Sequence, residues 1–189
     1  AISKVCQQHG LKLHLDGARL WNACIAKNIS EVDYVEPFDS VSVCFSKGLG
    51  APVGSALAGS KVFIERARRF RKMLGGGMRQ AGMMAAGALY GLKHHRAHLK
   101  EDHFNAQTLA QGLQSIAGIE IDPKTVETNI VLFQTRVLPA QVLAERLKLK
   151  GVYVLPVGPN TIRAVTNLMV NEQQIQQVPD LVELALNNA

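Results

Sequence analysis

Ser40-Val41-Ser42-Val43-Cys44-Phe45-Ser46-Lys47-Gly48-Leu49-Gly50-Ala51-Pro52-Val53-Gly54 joins an apolar run to a glycine-rich segment through a single lysine. The run from Ser40 to Ser46 is apolar and carries strand formers, so it predicts a buried strand. Gly48, Gly50, Pro52 and Gly54 then predict a turn. Lys47 closes the strand and enters that turn. A lysine so placed is expected to be partly desolvated, which favours the neutral, nucleophilic amine. Upstream, a second apolar run, Leu11-Lys12-Leu13-His14-Leu15, ends in Asp16 and Gly17. Two strand ends thus offer an amine and a carboxylate. Taken singly, Lys47 reads as a solvated loop residue and Asp16-Gly17 as a turn or helix N-cap. The words around them make the pair specific.

Outward from these strands the chain alternates strand and helix. Strands are expected at 11–16, 40–46 and 55–58 and helices at 18–27 and 61–74, with 2–10 as the end of a helix entering the first strand. Ser60 is placed to cap the 61–74 helix. Gly75-Gly76-Gly77 ends it, because glycine is costly in a helix interior. Residues 78–98 resume a helical pattern rich in alanine, methionine and glycine, and a helix at 103–116 is closed by Gly118. Beyond it, strands at 119–121, 129–134, 152–155 and 161–165 and helices at 140–149 and 171–186 describe a compact α+β unit.

Composition narrows the function classes. The chain has 189 residues, 47% hydrophobic and 19% charged, the profile of an ordinary globular protein. No apolar run reaches the roughly 20 residues that a spanning helix needs, so no membrane partner is expected. Cys6, Cys24 and Cys44, odd in number and in apolar context, read as reduced, buried thiols. The net charge of +6 raises the question of nucleic acid. Much of it lies between Lys61 and Lys72, where Val62, Phe63, Arg66, Phe70 and Leu74 recur at helical spacing. That pattern predicts a half-buried amphipathic helix rather than a cationic face, and no nucleic-acid partner is expected. His94, His95, His98 and His103 cluster, but no acidic or thiol ligand stands at matching spacing. They read as a solvent-facing helix end, and no metal is expected. The glycines form neither a G-x-G-x-x-G nor a P-loop between strand and helix.

Four words resemble those of one family. His14-Leu15-Asp16-Gly17-Ala18-Arg19-Leu20-Trp21-Asn22-Ala23 resembles the aspartate segment of the L-threonine aldolases of low-specificity type. Ser46-Lys47-Gly48-Leu49-Gly50-Ala51-Pro52-Val53-Gly54-Ser55 resembles their Schiff-base lysine segment. Gly75-Gly76-Gly77-Met78-Arg79-Gln80-Ala81-Gly82 and Ile162-Arg163-Ala164-Val165-Thr166 are similar to a third and a fourth. Their order and spacing also fit, and the resemblance spans essentially the whole chain. It implies the α/β fold of the pyridoxal-phosphate-dependent transferases (aspartate-aminotransferase-like, fold type I). Residues 1–95 are then the C-terminal part of the large cofactor-binding domain, 96–117 a connecting helix, and 118–189 the small C-terminal α+β domain. The chain is expected to be the C-terminal half of a longer enzyme. The loop that cradles the cofactor phosphate and the histidine that stacks on its ring are expected before Ala1.

The resemblance also implies roles. Lys47 forms the Schiff base with pyridoxal 5'-phosphate. Asp16 holds the pyridine nitrogen protonated, so that the ring accepts electrons when a bond to Cα breaks. Arg19 lies at the same site, its bland reading being a surface arginine on an amphipathic helix. Arg79, starting the helix after the triglycine break, lies near the cofactor phosphate. Arg163 stands inside a strand, where a buried charge needs a partner. A guanidinium suits bidentate grip of a carboxylate, and the resemblance makes that partner the substrate's α-carboxylate.

The implied reaction is retro-aldol cleavage of L-threonine or L-allo-threonine to glycine and acetaldehyde. The implied setting is a cytoplasmic homo-oligomer, dimer or tetramer, with a mitochondrial location left open. Two other readings stay open. One is another fold-type-I lyase, acting by β-elimination, since the cofactor supplies the chemistry and the protein selects the bond. The other is a non-catalytic truncated product. The isolated chain is expected to expose a sheet edge and apolar helix faces. It is also expected to lack aldolase turnover, because positioning contributes ~7–11 kcal/mol to lowering a barrier and nothing here anchors the phosphate.

Overall fold

A computed structural model describes residues 2–187. Residues 1, 188 and 189, which close the ranges expected for the two domains, lie outside the described residues. The chain divides into two compact units, Ala1–Ala97 and His98–Ala189.

In the first unit, α1 (Ile2–Gln8) leads to β1 (His14–Gly17), α2 (Leu20–Lys27), α3 (Glu31–Val35), β2 (Ser40–Cys44), β3 (Ser55–Gly59), α4 (Lys61–Met73) and α5 (Gly82–His94). The strand order is β1-β2-β3, with β1 and β2 parallel and Asp16 opposite Ser42. Parallel neighbours cannot be joined by a tight turn, and α2 and α3 form the connection. α2 stops at Asn28, whose backbone is left-handed at φ 52°, a conformation asparagine tolerates better than most. α3 begins at Ser30, whose Oγ accepts the Asp33 N–H. This helix is too short for periodicity to reveal. β1 starts later than the expected 11–16 because the Asp39 carboxylate takes the Leu13 N–H at 2.8 Å.

The small core of this unit joins Leu20, Cys24 and Val41, with Leu15, Tyr34, Val35 and Val43 around them. β3 lies antiparallel to β2 and is exposed along its whole length. The Ser60 cap forms as expected, its Oγ accepting the Phe63 N–H at 3.3 Å. The half-buried face expected of α4 does not form. None of its residues is buried and Val62 is 76% exposed, because its neighbour in this unit is the exposed β3. The thiols also differ from expectation: Cys24 is buried, whereas Cys6 and Cys44 are half-buried. Burial pushes the Cys24 thiol up, with Glu31 adding and Arg96 opposing.

In the second unit, α6 (Leu99–Gln114) is followed by β4 (Ile119–Glu120), a 3₁₀ turn at Pro123–Thr125, β5 (Ile130–Thr135), α7 (Ala140–Leu149), β6 (Leu155–Pro156), β7 (Thr161–Val165) and α8 (Glu172–Asn187). The four strands are antiparallel in the order β4-β5-β7-β6. Alternation along β5 and β7 sends Val131, Phe133, Ile162 and Ala164 to one face, where they pack with Leu113 of α6, Leu143 of α7 and Val182 of α8. Leu132 and Arg163 fall on the other. β6 is shorter than the expected 152–155 because the Val152 N–H bonds back to the Leu147 carbonyl of α7 at 3.0 Å. α6 meets α8 closely at Gly112, where a Cβ would lie 2.4 Å from Pro179 Cγ. Among the described residues, no helix is long and apolar enough to cross a membrane.

Candidate functional site

The topology brings Asp16 and Lys47 to one edge of the first sheet. β1 and β2 run parallel, so their carboxyl ends share that edge, with neighbouring strands ~4.8 Å apart. Asp16 lies near the end of β1, and its Oδ1 accepts the Ala18 N–H at 3.1 Å. Gly17 follows because β1 approaches β2 closely there: a Cβ would lie 2.7 Å from the Ser42 carbonyl oxygen.

β2 ends at Cys44, and Lys47 lies beyond it, in the turn. The desolvation expected of its amine is not supplied by the described residues. The strand stops too early to bury Lys47, whose side chain is exposed. The turn itself is closely held. The Phe45 N–H donates to Gly54 O and the Ala51 N–H to Phe45 O, both at 3.0 Å, and the Gly50 N–H donates to Lys47 O at 2.8 Å. Gly50 and Gly54 take left-handed backbones, φ 66° and 118°, which glycine adopts without steric cost. At the entry, Trp21 Nε1 donates to the Cys44 carbonyl at 3.1 Å, and its ring stacks on Phe45 with centroids 6.5 Å apart. At the far side, His95 Nδ1 meets the Leu49 carbonyl at 2.8 Å.

The two other candidate residues of this unit stand differently. Arg19 is half-buried and immediately precedes α2. Arg79 is exposed and sits in a turn rather than starting a helix. α5 begins only at Gly82, because Gln80 interrupts with a left-handed backbone at φ 53°. No hydrogen bond or ion pair among the described residues ties Arg79 to Asp16 or Lys47.

Arg163 belongs to the second unit. It occupies the middle of β7, between Leu132 of β5 and Leu155 of β6. Its Nε is buried, with no hydrogen-bond partner among the described residues. A knot of hydrogen bonds holds the end of its strand. Thr166 Oγ1 donates to the Asp102 carbonyl at 2.6 Å, the Thr166 N–H to Asn129 O at 3.1 Å, and Asn129 Nδ2 to Thr166 O at 2.9 Å. Asp102 is buried and pushed up to about 6, chiefly by desolvation, with Glu101 adding and His98 opposing.

The histidines separate once the fold is formed. His94 is exposed, and His98 lies 3.3 Å from Glu101. Burial holds His103 below its ordinary value. His95 is half-buried and bonded to a carbonyl, not a solvent-facing helix end. Among the described residues no three His, Cys, Asp or Glu side chains gather as metal ligands would. The residues that sequence reasoning passes over are His95 and Trp21. Both act through backbone carbonyls, which carry no residue-type signal. The Leu49 carbonyl is 46 residues from His95.

Comparison with known proteins gives this geometry a context. Residues 1–136 match the beta-eliminating lyase family. The probable low-specificity L-threonine aldolase 2 of Arabidopsis thaliana is 42% identical over 180 residues, covering 94% of this chain and 51% of that protein. The low specificity L-threonine aldolase of Escherichia coli K12 is 40% identical over 172 residues, covering 91% of this chain and 50% of that one. The crystal structure of a putative L-allo-threonine aldolase from Listeria monocytogenes superposes with a TM-score of 0.81 at 24% identity, over 97% of this chain and 55% of that one. That likeness establishes the α/β fold. The chain spans about half the length of the curated relatives it matches. Since the family match covers most of the chain and takes in both Asp16 and Lys47, the chain belongs to the beta-eliminating lyase family.

Proposed function

We propose that this chain carries the lysine, aspartate and carboxylate-binding parts of a pyridoxal-phosphate-dependent aldolase that cleaves L-threonine and L-allo-threonine to glycine and acetaldehyde. The observation that carries the reading is that Asp16 lies near the carboxyl end of β1 while Lys47 follows, in the next turn, the carboxyl end of its parallel neighbour β2. The residues fit the cofactor: an exposed lysine follows one strand and a carboxylate lies near the end of its parallel neighbour. The buried, unpartnered Nε of Arg163 is the kind of donor that an anionic ligand satisfies. When bound, pyridoxal phosphate supplies the electron sink that lets a bond to the substrate Cα break.

The chain's own residues do the rest by holding and orienting. Lys47 holds the cofactor covalently through its Nζ. Asp16 keeps a proton on the ring nitrogen, because an adjacent carboxylate favours the protonated form. Arg19, immediately before α2, is assigned to the same site, and Arg79 to the neighbourhood of the phosphate. Arg163 grips the α-carboxylate through its planar fork. In this reading residues 1–95 belong to the large cofactor-binding domain, 96–117 connect, and 118–189 form the small domain. The complete enzyme is a cytosolic homo-oligomer whose partners are its own subunits and a small amino acid. The 40–42% identity to low-specificity L-threonine aldolases supports the reaction.

The protein expressed from its complete reading frame is incubated with pyridoxal phosphate, reduced with borohydride and digested. The label is expected on Lys47 and absent in Lys47→Ala; a label retained in that variant overturns the assignment. The family description itself favours a second reaction, β-elimination. Acetaldehyde and glycine from allo-threonine support the aldolase, whereas ammonia and a keto acid support elimination.

A further inference from the structure

We infer that His95 is a positioning residue for Lys47, acting through the single peptide plane that joins Leu49 to Gly50. This rests on the proposed role of Lys47 and uses no other residue assigned to cofactor or substrate. The Leu49 carbonyl receives His95 Nδ1 at 2.8 Å, and the N–H of the same peptide unit, on Gly50, donates to the Lys47 carbonyl at 2.8 Å. A peptide unit is planar and stiff. Fixing its oxygen therefore fixes the direction of its N–H, and with it the carbonyl of Lys47. A carbonyl only accepts, so Nδ1 of His95 must carry the proton.

The approach of α5 to this turn is built around that contact. Gly91 lies one helical turn before His95, on the same face. A Cβ at Gly91 would stand 2.6 Å from the Leu49 carbonyl oxygen, so only glycine lets the helix come near enough for His95 to reach. The Leu49 residue is fully buried, while the contact itself is part-buried. The Tyr90 ring meets the His95 ring edge-on at 5.3 Å, which limits its rotation. A lysine that must address one carbonyl carbon gains from a fixed backbone, because misplacement of about 1 Å can cost about a hundredfold in rate. The exposure of Lys47 leaves its backbone as the part that this unit can hold.

The test compares His95→Leu and His95→Asn in the protein from its complete reading frame. Asn Nδ2 sits at the same bond distance from Cβ as His Nδ1 and can donate the same hydrogen bond; leucine cannot. Hydrogen exchange of the amides of residues 47–51 is one readout, and the rate at which pyridoxal phosphate becomes borohydride-fixable at residue 47 is the other. His95→Leu is expected to quicken exchange in this segment about fivefold, the effect of losing one hydrogen bond, and to slow fixing to a similar degree. His95→Asn should restore both to within about twofold. Unchanged exchange in His95→Leu overturns the inference, as does a folded His95→Asn that restores neither readout. Protection lost evenly across β1 and β2 in His95→Leu also overturns it, since that marks a packing role. If no cofactor is fixed at Lys47 in the unaltered protein, the proposed function fails, while the exchange comparison still decides whether His95 holds the turn.

Discussion

The two units of this chain divide labour unequally. The second has one continuous core, in which Leu113, Val131, Leu143, Leu147 and Ile162 are shut away from solvent by three helices on one face of an antiparallel sheet. The first gathers its apolar residues around Leu20, Cys24 and Val41, and leaves β3 and α4 without a buried residue. Yet the first unit holds the amine, the carboxylate and the braced turn. Stability concentrates where contacts are dense, and reactive side chains stand where the chain leaves them uncovered. In the second unit, among the described residues, the buried Nε of Arg163 has no hydrogen-bond partner, and Arg163 lies on the sheet face opposite the core.

The largest expected effect tests the density of the second core. Leu143→Ala removes a side chain with 0% exposure and is expected to cost about 2–5 kcal/mol. Urea denaturation followed by far-ultraviolet circular dichroism should show the shift. Trp21, the single tryptophan, reports the first unit by fluorescence. A circular-dichroism midpoint that does not move would remove the contrast between the units.

Asp102 sharpens the comparison by a smaller amount. Burial holds its folded-state value near 6 against an ordinary 3.8. The folded state therefore keeps a proton that the unfolded chain has released between about pH 4 and pH 6, and stability falls as pH rises through that window. Asp102→Asn removes the penalty. The variant is expected to be more stable than the parent by about 3 kcal/mol at pH 8, with the gain gone below about pH 4. Thermal melts at the two pH values check it. Equal gains at both would show that ionisation is not the cause.

The smallest effect falls in the first unit. Ser60→Ala removes the side-chain acceptor for the Phe63 N–H at the start of α4, a loss of about 0.5–1 kcal/mol in helix stability. Hydrogen exchange at Phe63 and Ile64 should quicken without change at β2. Faster exchange spreading to β2 would mean that α4, despite its exposure, supports the sheet.

Much of this was legible from local chemistry. The 140–149 helix and the 161–165 strand coincide with α7 and β7, since period and strand propensity are properties of neighbouring residues. Ser60 declared itself as a cap because capping needs only three following residues. Asp16 was readable as a strand end, and three of the four family words fall within residues 1–136, which match the family.

Local sequence was enough for the alternation of strand and helix, the caps, and the placing of an aspartate and a lysine near the ends of neighbouring strands. Those features arise from interactions among residues close in the chain. That β2 stops before Lys47, that α4 stays uncovered, and that His95 reaches a carbonyl 46 residues away emerged from the packing of distant segments. Burial and backbone hydrogen bonding depend on which distant segments pack together, and a carbonyl group is the same in every residue.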